Sequence, residues 1–168
     1  MLAWGNTATA DSAAEISVKA AIVHKIAKFV SWPDSRFDGG DQPLRFCVLG
    51  DETVLRAFEN LAGRSIHGRP MSVKNAPAPL DVAGACDVLY LDEDSQQNAD
   101  VWFASVTGHP VLTFGEAGAY GGKGSIVTMT ILRNKVRFSI NLDANEDTGL
   151  RISAQLLQLA TSVDGSGS

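Results

Sequence analysis

The stretch 125–142, SIVTMTILRNKVRFSINL, constrains the fold of this chain more than any other. It reads as two strands folded back on each other. Ile126, Thr128, Thr130 and Leu132 alternate with Val127, Met129 and Ile131, all of them residues that strands tolerate well. Arg133-Asn134 stands between the two runs, and Asn accepts the left-handed backbone that a two-residue hairpin turn requires. In the return strand Val136, Phe138, Ile140 and Leu142 alternate with Lys135, Arg137, Ser139 and Asn141. One face is therefore apolar and the other polar, as for a strand with one side on a core.

The rest of the chain supplies what the hairpin packs against. Ser12-Ala-Ala-Glu15 forms a capping box, and the helix it opens is expected to reach Val30, before Trp32-Pro33 ends it. Its apolar residues leave only a narrow polar strip holding Lys19, Lys25 and Lys28, so the helix should be covered on more than one side. Leu44–Leu49 is a continuous apolar strand, and Asp51 caps a short helix behind it. Met71–Asn75 is a second strand, 86–91 (CDVLYL) a third and 111–114 a fourth. The run APAPLDVAGA reads as a surface loop, and Asp94 or Ser95 as the start of a helix closed by Gly108. A last helix is expected from Asp143 to about Val163. Apolar strands alternating with helices argue for an α/β fold: a three-layer α/β/α sandwich with a mostly parallel central sheet and a C-terminal antiparallel hairpin. Residues 12–163 read as one domain, 1–11 as a disordered leader or signal-peptide remnant, and 164–168 as a flexible tail.

Composition narrows the function. At 168 residues with 45% hydrophobic content the chain can bury a real core. Its net charge of −5 disfavours nucleic acid and anionic bilayers as partners. No apolar run is long enough to cross a membrane. The glycine loop 115–124 ends in Gly122-Lys123-Gly124-Ser125, which fails the phosphate-loop pattern and leads into a strand rather than a helix. Asp51 and Asp92 follow strands, and Thr113 lies near the end of another, as acidic groups and a hydroxyl do in phospho-acceptor receiver domains. The long first helix and the absence of a matching lysine argue instead that these acids cap helices. Asp51, Asp92 and Gly115 would also line any small-ligand pocket at the carboxyl ends of the strands. His24, His67 and His109 lack metal spacing and read as structural or solvent-facing. No serine elbow or activated cysteine is present, so no enzyme, metal or cofactor is implied. Trp32 and Phe37, around the turn after the first helix, are candidate contact anchors. Arg137 and Asn141, on the polar side of the hairpin, could face a partner or only water. Cys47 and Cys86 would lie on neighbouring strands of such a sheet, either bridged or as two free core thiols.

Four stretches carry a resemblance: VKAAIVHKIAKFVSWP, LRFCVLGDE, CDVLYLDED and the run GKGSIVTMTILRNKVRFSINLDANEDTGLRISAQLLQLA. In this order, over about Val18 to Val163, the chain resembles the YfiR/HmsC-type family of small periplasmic proteins. The resemblance implies a non-enzymatic repressor of an inner-membrane diguanylate cyclase. Such a repressor binds the periplasmic region of the cyclase and lowers cyclic-di-GMP output and biofilm formation. It also implies a competing outer-membrane lipoprotein. Cys47 and Cys86 match the family's cysteines, so a disulfide between them is implied as well. Some relatives carry a second cysteine pair around the glycine loop, and this chain has none there. A paired hairpin edge also suits homodimerisation.

Overall fold

The computed structural model describes residues 4–117 and 124–165. Most of the glycine-rich loop, 118–123, lies outside the described residues, and with it Lys123 of the rejected phosphate-loop reading. In chain order the elements are α1 (Trp4–Ala27), β1 (Val30–Ser31), β2 (Leu44–Leu49), α2 (Glu52–Glu59), β3 (Ser65–Ile66), β4 (Arg69–Asn75), α3 (Pro79–Ala85) and β5 (Val88–Leu91). Then come α4 (Ala99–Ala104), β6 (Leu112–Glu116), β7 (Val127–Leu132), β8 (Lys135–Asn141), β9 (Arg151–Ile152), α5 (Ala154–Leu159) and β10 (Ser162–Asp164).

Eight strands form one mixed sheet in the order β10-β8-β7-β6-β5-β2-β4-β3, and β1 and β9 form a separate antiparallel pair. Neighbours from β4 through β2, β5 and β6 to β7 run parallel. The β7–β8 and β3–β4 pairs are antiparallel, and β10 returns parallel to β8 at the sheet edge. The hairpin turn adopts the predicted geometry, with Arg133 and Asn134 both left-handed at φ 53° and 62°. This matches the right-handed twist of the strands it joins.

Alternate residues of the central strands feed two separate cores, which is why β2 and β5 read as continuous apolar runs. Phe46, Val48, Val88, Tyr90, Leu112 and Phe114 pack with Val23 and Ile26 of α1 and Val54 and Phe58 of α2. Cys47, Leu89 and Leu91 pack with Val82 of α3 and Phe103 of α4. Asp51 caps α2 as expected, its side chain accepting from the Val54 amide at 3.0 Å.

Several boundaries depart from the sequence expectation. Helix α1 already begins at Trp4, upstream of the capping box, and ends at Ala27. His67 and Gly68, both at positive φ, form the turn of a β3–β4 hairpin, so the second strand begins at Arg69 rather than Met71. APAPLDVAGA is not all loop. It contains α3, entered through Pro79, a residue well suited to a first helical turn. The long final helix is also corrected. Asp147 and Gly149 are left-handed, which no helix interior allows, and Arg151–Ile152 pairs with β1. Only Ala154–Leu159 is helical there, capped by the Ser153 hydroxyl, which accepts from Leu156 N at 3.1 Å.

Candidate functional site

Three surface regions gather the residues singled out above. The first is a cleft of about 240 Å³ at the carboxyl ends of β2, β5 and β6. It brings together Asp51 and Asp92 with Glu15, Lys19, Tyr90 and Glu116. Lys19 descends from α1 into this cleft and pairs with Glu116, and with Glu15 at 3.1 Å one helical turn back. Burial works against the Lys19 ammonium, but the hydrogen bonds and charges of Glu116 and Glu15 outweigh it and raise its pKa. Burial pushes Glu116 up despite Lys19, and it pushes Tyr90 well above the usual phenol value, with Glu116 and Asp92 adding to the effect. Asp92 is likewise raised, by burial first and then by Asp94 and Asp51, against a hydrogen bond from Ser95. Among the described residues no group of three His, Cys, Asp or Glu could hold a metal ion. Thr113 is buried and its hydroxyl accepts from Ile126 N at 2.8 Å, so it serves the entry to β7.

The second region is a niche of about 270 Å³ that joins Trp32 and Phe37 with His67 and Arg69. The Arg69 guanidinium lies 3.7 Å over the Phe37 ring and donates to the Gln42 carbonyl. His67 Nε2–H donates to Val30 O at 2.7 Å. Trp32 packs against the larger core and donates through Nε1 to Asp87 O at 3.1 Å. Asp87, immediately before β5, is fully buried and accepts from Arg36 Nε at 2.8 Å and Arg45 Nε at 3.0 Å. These donors hold its carboxyl below the usual range although burial alone would raise it. Beside this network Cys47 and Cys86 form a disulfide with a Cα–Cα distance of 5.8 Å.

The third region is the polar side of β8. Arg137 is exposed there, while Asn141 accepts through Oδ1 from the amides of Asp143 and Ala144 at 3.0 and 3.3 Å. Asn141 thus organises the turn after the hairpin. It also borders a separate cleft with Phe103 and Thr148. His24 differs from its expected satisfied role. It is buried, its Nε2 makes no hydrogen bond among the described residues, and burial next to Lys28 and Arg64 lowers its pKa.

Sequence reading missed Lys19, Glu116, Arg36, Arg45 and Asp87 as partners. Glu116 did leave a trace, as the one charge in strand β6, whereas Lys19 lay within the polar strip of α1. The Arg36–Asp87 contact spans 51 positions, and no local pattern encodes such a distance.

The YfiR/HmsC-like family model matches residues 16–161, and the chain belongs to that family. The family is regulatory rather than enzymatic, periplasmic in general, and tied to cyclic-di-GMP signalling. No helix among the described residues is long and apolar enough to cross a membrane.

Proposed function

We propose that this YfiR/HmsC-like domain is a periplasmic repressor that binds the periplasmic region of an inner-membrane diguanylate cyclase and holds it in a low-output state. The family match over residues 16–161 carries this reading. The buried disulfide supports it, since such bridges persist in oxidising compartments. Repression is a differential affinity for one state of the cyclase. An outer-membrane lipoprotein that binds the same domain would relieve it by mass action. The contact residues we assign are Trp32 and Phe37 around their niche and Arg137 and Asn141 on β8. The homodimer expected along a hairpin edge loses that basis, because β10 pairs with β8 and covers it. The test is reconstitution of the cyclase in membranes. Addition of the purified domain should lower cyclic-di-GMP synthesis, and synthesis unchanged at saturating domain would overturn the proposal.

A second reading rests on the cleft that gathers Asp51, Asp92 and Lys19. There a small polar ligand would bind at the strand carboxyl ends. A thermal-shift screen of charged metabolites checks it, and no shift beyond that of an Asp92→Asn control counts against it.

A further inference from the structure

We infer that the tip of the β7–β8 hairpin and the adjoining face of α1 form a docking groove for a protein segment that carries an apolar side chain with carboxylates on the side facing Arg133 and Lys135. Val18 and Ala14 lie one helical turn apart on α1, and Ile131 and Val136 are cross-strand partners at the hairpin tip. Together they line a groove of about 400 Å³ with Lys135 on one rim and Glu15 on the other. Val18 is 50% exposed and Ile131 44%, while Leu132 on the other face of the strand is 52% exposed. The tip thus presents apolar side chains beyond the limits of the core, and such clusters mark interaction surfaces.

The charges around the groove select the occupant. Arg133, Lys135 and Arg137 fall within five positions, all exposed, in a chain of net charge −5. None of them forms an ion pair among the described residues. Arg133 also occupies a left-handed position, φ 53°, that glycine would fill with less strain. A cationic side chain is thereby carried on the turn itself. Carboxylates on the incoming segment would meet it and Lys135. A second copy docked groove to groove would set these cations against each other. An anionic bilayer reaching the tip would also approach Glu15, which is shared with the acidic cleft of Asp51, Glu93 and Asp94. A convex side chain on a protein partner fits a concave groove where a bilayer surface does not.

This inference rests on the proposed repressor reading and gives it a surface. The probe is the purified periplasmic region of the host's diguanylate cyclase, titrated against the intact domain. Val18→Asp and Ile131→Asp are each expected to weaken binding about tenfold or more, as for a central apolar contact. Arg133→Glu with Lys135→Glu, at exposed positions where folding is not at stake, is expected to weaken it about tenfold and to reduce its salt dependence. Lys74→Glu on β4 should bind like wild type. Wild-type binding that all three groove variants retain overturns the groove and leaves the repressor reading standing. No wild-type binding overturns both. Binding to phosphatidylglycerol vesicles, or a wild-type dimer that the variants dissociate, would overturn the choice of a protein segment in favour of a bilayer or a second copy.

Discussion

Strand β5 lies between two buried aspartates, Asp87 at its start and Asp92 at its end, and the charges that face them are of opposite sign. Asp87 is 0% exposed and is met by two guanidinium groups and a backbone amide. Asp92 is 7% exposed; hydrogen bonds from Ser95 favour its charged form, while burial and the charges of Asp94 and Asp51 act against it. The first carboxyl is lowered and the second raised. Burial is the larger influence on both, so the difference lies in what the fold supplies to offset it. The amino-terminal end of the sheet is locked by a charge network and a disulfide. The carboxyl-terminal end holds carboxyl groups that are costly to ionise, and such groups cluster where proteins bind and react.

The comparison breaks most sharply at Asp87. Asp87→Ala strands Arg36 and Arg45 against the core and should destabilise the domain by about 3–5 kcal/mol, measured by urea unfolding. A loss below about 1 kcal/mol would show that the arginines simply turn to water. Next comes the neighbouring bridge. Cys47→Ala with Cys86→Ala, or reduction of the wild type, should lower stability by about 2–4 kcal/mol. Trp32→Phe keeps the packing and removes one hydrogen bond to Asp87 O, a loss of about 1 kcal/mol. No change for this variant would mean that water replaces the indole.

How legible these ends were differs in the same way. The hairpin, β2, β5 and the Asp51 cap follow from short-range patterns, and each formed as expected. The neighbouring placement of Cys47 and Cys86 followed from the usual order of parallel strands, and β2 does pair with β5. The segment after Asn141 was misread because Leu150, Ile152, Leu156 and Leu157 fit a helical face. Two left-handed residues, Asp147 and Gly149, cut it into turn, strand and short helix. Asp147 is one of the few non-glycine residue types that accept that backbone, a local signal that the helical spacing of the leucines masked. Of the candidate site, Asp51 and Asp92 were legible as strand-end acids, but Lys19 and Glu116 were not seen as a pair. The α1–β6 contact that joins them has no local signature. Trp32 and Phe37 do share a niche, but Trp32 was not recognised as a hydrogen-bond donor to the far side of β5.

The smallest expected effect tests the carboxyl-terminal end. A carboxyl whose folded pKa lies above its unfolded value of 3.8 costs the fold stability once it must ionise. That cost is absent in strong acid, where Asp92 is protonated in both states. It grows as pH rises from about the unfolded value and is complete above the raised folded value. Asp92→Asn should therefore match wild type near pH 3 and exceed it at neutral pH by up to about 1 kcal/mol. Asp87 has the opposite sign. Its lowered pKa stabilises the fold above the ordinary 3.8, and that contribution disappears as pH falls through the folded value. Asp87→Asn should thus flatten the acid limb of the stability profile, while Asp92→Asn leaves that limb in place and lifts the neutral plateau. Unfolding curves for the three proteins from pH 3 to pH 8 separate these outcomes. An Asp92→Asn protein less stable than wild type at pH 7 would show that the hydrogen bonds from Ser95 outweigh the burial of its ionised carboxylate. The two ends of β5 would then be alike.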